Sequence, residues 1–177
     1  MRADARRNRT AVLDAGARLL AERPTASMQE IADASGVGRT TVYRHFPARE
    51  DLVAALIQQV AHEIGEVTDA VVTMDAPAGD GLRRLAQDIT ALGRRWRFLH
   101  SQREELLEAI RDADARFVAW VEDRQRAGEL RGDVPSSWIQ LGVRAMLTAA
   151  GDAADTMGAD EAGRLCGDTL VSAFAQR

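Results

Sequence analysis

Residues 27–52 read SMQEIADASGVGRTTVYRHFPAREDL, and this stretch decides the fold. Its pattern predicts two short helices around a glycine turn, followed by the start of a third helix. Ser27 and Glu30 have the spacing of a capping box, in which each side chain bonds the other residue's backbone N–H at a helix start. Gly36 stands where a sharp turn needs a positive φ, a conformation that costs glycine little.

The second of these short helices has two unlike sides. Val42 and Phe46 are four residues apart on one face, which predicts that both are buried. Charged or hydrogen-bonding side chains occupy the opposite side and its flanks: Arg39, Thr40, Thr41, Tyr43, Arg44 and His45. A short exposed face of this composition suits a DNA groove, where arginine and tyrosine contact phosphates and base edges.

Composition and charge set the broad class of the protein. A chain of 177 residues with 46% apolar residues suits one or two small domains with a real core. All 23 basic residues are arginine, which resembles a coding bias and makes arginine abundance weak evidence for nucleic-acid binding. Residues 1–47 carry eight arginines against five acids, whereas residues 48–177 carry 15 against 22. This asymmetry fits DNA contact at one end, with chance as the alternative.

Cysteine usage and hydropathy predict the compartment. Cys166 is the single cysteine, so an intrachain disulfide is excluded and a reducing compartment is expected. Its apolar helical surroundings predict a small buried residue, with a redox-sensing thiol as the alternative. No apolar run is long enough for a membrane span, and the N-terminal arginines precede no apolar segment. We therefore expect a cytoplasmic protein with no membrane partner.

Helical periodicity continues along the whole chain, with no strand alternation. An all-α fold of about nine helices is predicted, with a loop at residues 73–81 and Asp80 as the cap of the helix after it. The helices are expected at about residues 10–22, 28–34, 39–45, 49–72, 81–95, 96–110, 114–127, 136–154 and 160–175.

The penultimate of these helices is apolar or small nearly all round, so it must be covered on several sides. Either the domain wraps the last two helices or a second subunit does. We expect a homodimer through residues 136–175, with a monomeric core as the alternative.

The motifs in the first third of the chain resemble the TetR, or tetracycline-repressor-like, family of transcriptional regulators. The matching residues are Glu30-Ile31-Ala32, Gly36-Val37, Thr41-Val42-Tyr43-Arg44-His45-Phe46 and Arg49-Glu50-Asp51-Leu52. The rest of the chain matches in helix count and in the phrase Arg126-Ala127-Gly128-Glu129-Leu130.

The resemblance implies a helix-turn-helix DNA-binding domain at residues 1–47 and a helical ligand-binding and dimerisation domain at residues 48–177. It implies a double-stranded DNA operator, a homodimer, a small-molecule effector and repression of transcription, with activation as the alternative. The two-fold symmetry of such a dimer predicts a palindromic operator. The implied DNA-binding residues are Gln29, Arg39, Thr40, Thr41, Tyr43, Arg44, His45 and Arg49. Met28 and Ala48 depart from the family pattern at positions where hydroxyl or capping side chains are common.

Two further features concern ligands and the N-terminal arm. The expected effector pocket lies among the helices spanning residues 81–127, and its candidate lining residues are Trp96, Phe98, His100, Phe117, Trp120 and Met146. Ordinary core packing is the alternative for each of these side chains. The arm that carries Arg2, Arg6, Arg7 and Arg9 can contact phosphates or the minor groove, with a solvated tail as the alternative.

Other function classes have little support in the sequence. His45, His62 and His100 are scattered, and no phosphate-binding glycine loop or nucleophile motif is present. We therefore expect no enzyme activity, no metal and no cofactor. A helical protein-interaction module without DNA binding is the remaining alternative, and salt-dependent binding to duplex DNA separates it from a regulator.

Overall fold

The computed structural model describes residues 2–96 and 102–176, and this part of the chain folds into helices. Nine α-helices are present there: α1 Arg2–Glu22, α2 Met28–Ser35, α3 Arg39–His45, α4 Arg49–Val72, α5 Ala78–Trp96, α6 Arg103–Ala109, α7 Arg111–Arg126, α8 Ser136–Met157 and α9 Ala159–Phe174. The predicted all-α fold is confirmed. None of the helices in these ranges is both long and apolar enough to pass through a bilayer.

The chain divides into two compact units. Unit 1 comprises Met1–Ala61 and Arg95–Leu106, and unit 2 comprises His62–Arg94 and Leu107–Arg177. The domain boundary expected between residues 47 and 48 remains a prediction.

The core of unit 1 forms where the first four helices meet. Fully buried side chains come from each of them: Val12, Leu20, Ile31, Val42, Leu52 and Leu56. Gly16 of α1 allows close approach, because a Cβ at this position would lie 3.2 Å from Cδ2 of Leu52. Burial of these side chains stabilises the helix-turn-helix, since its short helices are too small to be stable alone.

The core of unit 2 joins α5, α7, α8 and α9. Its buried side chains include Leu82, Trp120, Val121, Ile139, Leu170 and Phe174. Cys166 is also buried here, and this burial raises the pKa of its thiol, so the expectation of a packed cysteine is confirmed. The segment after α7 pairs with the end of α9, where the Arg131 N–H donates to the Phe174 carbonyl at 2.9 Å.

Four predicted helix starts were wrong. The first helix begins at Arg2 rather than near residue 10, so the arginines of the expected arm lie on α1. Arginine and alanine favour helices without apolar periodicity, which explains the missed segment. The fifth helix begins at Ala78 rather than near residue 81, and Asp80 lies inside its first turn instead of capping it. The side chain of Glu129 accepts the Ala78 N–H at 2.7 Å and performs that capping role. The sixth helix begins at Arg103 rather than near residue 96, and the seventh begins at Arg111 rather than near residue 114.

Candidate nucleic-acid interface

The start of α2 is fixed by a complete capping box. The Glu30 N–H donates to Oγ of Ser27 at 3.3 Å, and the Ser27 N–H donates to Oε2 of Glu30 at 2.8 Å. Arg23 adds an ion pair to Glu30 at 2.8 Å. The hydrogen bond from the Ser27 backbone is the main cause that lowers the pKa of Glu30 below its ordinary value of 4.5. The capping box predicted from the sequence is confirmed.

The turn between α2 and α3 orients the second helix. Gly36 ends α2 with φ of 68°, as predicted for a left-handed turn residue. Ser35 supports the turn, because its Oγ accepts the Val37 N–H at 3.1 Å and donates to the Ala32 carbonyl at 2.8 Å. Val42 and Phe46 are 0% and 2% exposed, so the predicted buried face of α3 is confirmed.

The opposite face of α3 is open to solvent. Arg39, Thr40, Tyr43 and Arg44 are exposed, and 44% of the surface of Tyr43 is accessible. Thr41 is half-buried at the edge of this face. The geometry therefore leaves this set of donors accessible to a groove, and the DNA contact assigned to each remains a prediction.

His45 and Arg49 are more enclosed. His45 is half-buried, and its Nε2 is buried without a hydrogen-bond partner among the described residues. The guanidinium of Arg49 donates to the carbonyl of Pro24 at 2.6 Å and to that of Ala26 at 3.4 Å. Arg49 thus ties the start of α4 to the loop before α2, and its remaining N–H groups are available for a phosphate.

The start of α4 has an acidic cap despite Ala48. The Ala48 N–H donates to Oδ2 of Asp51 at 2.9 Å, which supplies one half of a capping box. The departure from the family pattern at Ala48 is therefore partly compensated by the residue three positions later.

Asp33 is a residue of this surface that the sequence analysis missed. Nε2 of Gln29 donates to both carboxylate oxygens of Asp33 at 2.8 Å, and Nη2 of Arg39 lies 3.6 Å from Oδ1. Two predicted DNA-binding residues therefore share one carboxylate. The four-residue spacing of Gln29 and Asp33 on a helix was the available signal, whereas the Arg39 contact crosses the glycine turn.

The basic residues of α1 lie partly against the helix-turn-helix. The guanidinium carbon of Arg9 lies 5.5 Å from the ring centroid of Phe46, a cation–π distance. Arg7 pairs with Asp4 on the same helix. Arg9 is therefore held near the end of α3.

The structure describes the side chains of only three of the six candidate ligand-binding residues. Phe98 and His100 lie outside the described residues, and so does the side chain of Trp96. Phe117 and Trp120 are each 5% exposed and stack with ring centroids 5.5 Å apart. Met146 packs at the edge of the same core.

The surroundings of Trp120 leave one polar atom unpaired. Arg124 lies over the indole at 5.6 Å, and Nε1 of Trp120 is buried without a partner in the described part of the chain. Phe117, Trp120 and Met146 thus belong to the core of unit 2, and their contact with a ligand remains a prediction.

Large apolar side chains are exposed mainly on the last two helices. In the described ranges five are exposed: Tyr43 on α3, and Trp138, Leu141, Met157 and Leu165 on α8 and α9. Trp138 and Leu141 are three residues apart and share a face of α8, with exposed Ala145 and Ala149 continuing the same stripe.

Comparisons with known proteins agree with this geometry. The family model "Bacterial regulatory proteins, tetR family" matches residues 12–56. The HTH-type transcriptional repressor LfrR of Mycolicibacterium smegmatis is 33% identical over 150 residues, which are 84% of this chain and 79% of LfrR.

Solved structures extend the likeness over nearly the whole chain. LfrR from Mycobacterium smegmatis in complex with proflavine superposes with a TM-score of 0.79 at 28% identity, covering 94% of this chain and 96% of that one. A TetR family regulator from Marinobacter aquaeolei shares the fold, with a TM-score of 0.75 at 19% identity and full coverage of both chains. The chain therefore belongs to the TetR family, whose members are DNA-binding transcriptional regulators and not enzymes.

Proposed function

We propose that this regulator is a repressor that binds a palindromic operator as a homodimer and is released by a small molecule. The observation that carries the proposal is the exposed polar face of α3, on a helix whose apolar side is fully buried and whose orientation is fixed by the turn at Gly36. A rigid helix with an open face of hydrogen-bond donors meets the geometric need of the major groove.

Each of the predicted DNA-binding residues has a chemical role in this proposal. Arg39 and Arg44 reach guanine edges, where a bidentate pair discriminates between bases by about 1–3 kcal/mol. Gln29, Thr40 and Tyr43 contact bases or the adjacent sugar–phosphate. Thr41, His45 and Arg49 hold phosphates at the edge of the groove, which fixes the register of the helix.

The stripe on α8 supports the dimer. Trp138 is 62% exposed and Leu141 is 52% exposed, which is unusual for large apolar side chains unless another surface covers them. We assign this surface, together with Leu165 of α9, to a two-fold contact with a second copy of the chain. Two copies present two α3 helices, which requires half-sites about 34–36 Å apart or a multiple of that spacing.

The effector is proposed to enter the core of unit 2. LfrR has been solved with proflavine, a planar aromatic compound, and this chain places the stacked pair Phe117 and Trp120 in its own core. Nε1 of Trp120 lacks a partner among the described residues, so an acceptor atom of a ligand would satisfy it. Met146, which is partly buried against the same core, is the third described residue of the proposed pocket.

Release requires that the effector bind one dimer geometry more tightly than the other. A ligand with equal affinity for both geometries shifts nothing, however tightly it binds. The long helix α4 follows α3 directly and extends into unit 2, so it is the element proposed to carry the change.

The test begins with operators selected from random duplexes and from the DNA upstream of the gene. Arg44→Ala is expected to weaken operator binding about tenfold or more, as loss of a bidentate guanine contact would. Arg126→Ala removes an equal charge from the exposed side of α7 and is the matched control. Equal binding by both variants and the unaltered protein would refute the assignment of α3, and absence of salt-dependent DNA binding would favour the protein-interaction alternative.

Proflavine serves as the effector probe in the same assay. We expect it to release the operator complex and to do so less effectively with Trp120→Leu, while Arg126→Ala, which changes an exposed side chain on the same helix, keeps the response. An operator complex that resists proflavine and a library of related aromatic compounds would count against the pocket.

A further inference from the structure

Asp33 places a negative charge beside the face assigned to DNA. It lies on α2, its side chain is 62% exposed, and its carboxylate contacts one residue on each helix of the helix-turn-helix. DNA carries one negative charge per about 1.7 Å of helix axis, so an unpaired carboxylate at this position would oppose binding to any sequence. A structural purpose alone does not require the charge, because the capping box and the glycine turn already fix α2 and α3.

The contacts of Asp33 orient both partners. A carboxylate accepts but does not donate, so the amide N–H₂ of Gln29 must face Asp33 and its carbonyl oxygen must face away. Arg39 approaches from across the turn, with Nη2 3.6 Å from Oδ1 and 63% of its side chain exposed. Because a guanidinium has five N–H donors, a contact with one carboxylate leaves others free.

We propose that Asp33 is a specificity-determining positioning residue, which holds Arg39 and Gln29 for base edges and withholds them from phosphates. This inference rests on the proposed DNA-binding function. On an operator, Arg39 keeps its contact with Asp33 and presents its remaining donors to a guanine. On other DNA, Asp33 competes with the phosphates for Arg39, and an Arg39 that moves to a phosphate leaves the carboxylate unpaired in the negative field of the duplex.

The proposal has two measurable consequences. Without the charge, Arg39 is free to neutralise a phosphate, so affinity for random duplex rises. The slope of log affinity against log salt for that duplex then steepens by about 0.9, the value for one added phosphate contact. Affinity for the operator does not rise by the same factor, so the ratio of operator affinity to random-duplex affinity falls by about tenfold. A change of this size is no larger than the discrimination that one arginine–guanine pair provides.

The experiment compares Asp33→Asn and Asp33→Ala with the unaltered full chain, using one selected operator and one random duplex of equal length over a range of salt. Asp33→Asn keeps the size of the side chain and an acceptor oxygen but removes the charge. Glu22→Gln, in the last turn of α1, changes the net charge equally and is the control. Helix content and thermal midpoint are measured for each variant to confirm folding.

Arg39→Ala, alone and combined with Asp33→Asn, tests whether Asp33 acts through Arg39. The expected result is a fall in the affinity ratio and a steeper salt slope in Asp33→Asn, both absent from Glu22→Gln and from the Arg39→Ala background. Equal changes in Glu22→Gln, or persistence of the effect without Arg39, would overturn the role of Asp33.

Different results contradict the role of Asp33 and the proposed function. If the unaltered chain prefers its operator and Asp33→Asn leaves the ratio and the slope unchanged, the inference is wrong and the proposed function stands. If the unaltered chain shows no preference for any selected duplex, the proposed function fails and the role of Asp33 fails with it.

Discussion

Gly36 and Gly38 lie two residues apart in the turn between α2 and α3, yet they have different conformational needs. Neither would bring a Cβ within 4 Å of another residue's atoms, so space is not the constraint at either position. Gly36 has φ of 68°, in the left-handed region, whereas Gly38 has φ of −56° and ψ of 136°, which any residue adopts.

This contrast gives a prediction for stability. Gly36→Ala should lower the free energy of unfolding by about 1–2 kcal/mol, the cost of a side chain in the left-handed region. Gly38→Ser should be neutral or stabilising, since serine at the residue before α3 can cap its first turn. Urea unfolding of both variants measures the difference, and an equal loss in the two would show that the backbone conformation of Gly36 is not the cause.

The contacts of single residues near the turn could be predicted from the sequence only where the partner lies within a few residues in the chain. Ser27 and Glu30 are three residues apart, and their hydrogen bonds follow from helix geometry. The contact of Asp33 with Arg39 and that of Arg49 with the carbonyls of Pro24 and Ala26 connect different elements, so no spacing rule indicates them.

The start of α2 also gives a prediction on pH. The pKa of Glu30 is lowered in the folded chain, first by the Ser27 backbone hydrogen bond, so its stabilising contribution is present above the ordinary value of 4.5 and is lost as pH falls through the folded value. Glu30→Gln should therefore be less stable than the unaltered chain at pH 7, and the gap should close below pH 4.5. Urea midpoints at several pH values measure the gap, and a gap that is constant with pH would contradict the argument.

At the scale of elements, α5 and α9 contact each other at two glycines of α9. A Cβ on Gly163 would lie 3.0 Å from Cα of Gln87, and one on Gly167 would lie 2.9 Å from Cα of Arg83. Along α9 the chain runs from Gly163 to Gly167, whereas the residues that they face on α5 run from Gln87 back to Arg83. The two helices are therefore antiparallel where they touch. The backbones of α5 and α9 can approach this closely because neither glycine has a Cβ atom.

Gly167→Ala is expected to force these helices apart. Overpacking of this kind costs about 1–3 kcal/mol, because the atom in the way belongs to the backbone of α5. Gly151→Ala on α8 is the matched control, since both substitutions remove a glycine from a helix but a Cβ on Gly151 meets nothing within 4 Å. Thermal and urea unfolding should rank Gly167→Ala below Gly151→Ala, and equal stability would mean that α5 and α9 are not held so closely.

The elements themselves were largely predictable, and their ends were less so. Both ends of α4, at Arg49 and Val72, were predicted correctly, because Pro47 precedes the helix and the loop at residues 73–81 follows it. The start of α5 was misplaced because its first N–H is capped by Glu129, which is 51 residues away in the chain. A cap from a distant residue cannot be recognised from the local sequence. Asp80 suggested a local cap, but it lies inside the first turn of α5.

At the scale of the whole molecule, the apolar stripe of α8 predicts a dimer. Trp138→Glu combined with Leu141→Glu should give a monomer in sedimentation analysis, because two buried charges oppose a contact that depends on apolar area. The variant should also lose affinity for a two-half-site operator while keeping weak binding to one half-site. Tyr43→Glu adds charge at an exposed apolar residue outside the stripe and should remain dimeric; a dimer in both variants would place the interface elsewhere.

The open face of α3 is the central claim, and site-directed cross-linking tests it most directly. Thr40→Cys is labelled with a photoactivated aryl azide in a Cys166→Ala background, bound to the selected operator and irradiated, with Arg126→Cys on α7 as the control. Position 40 is predicted to cross-link to bases at two symmetric half-sites, and position 126 to give no such product. Equal cross-linking from both positions, or none from position 40 in a formed complex, would contradict the account.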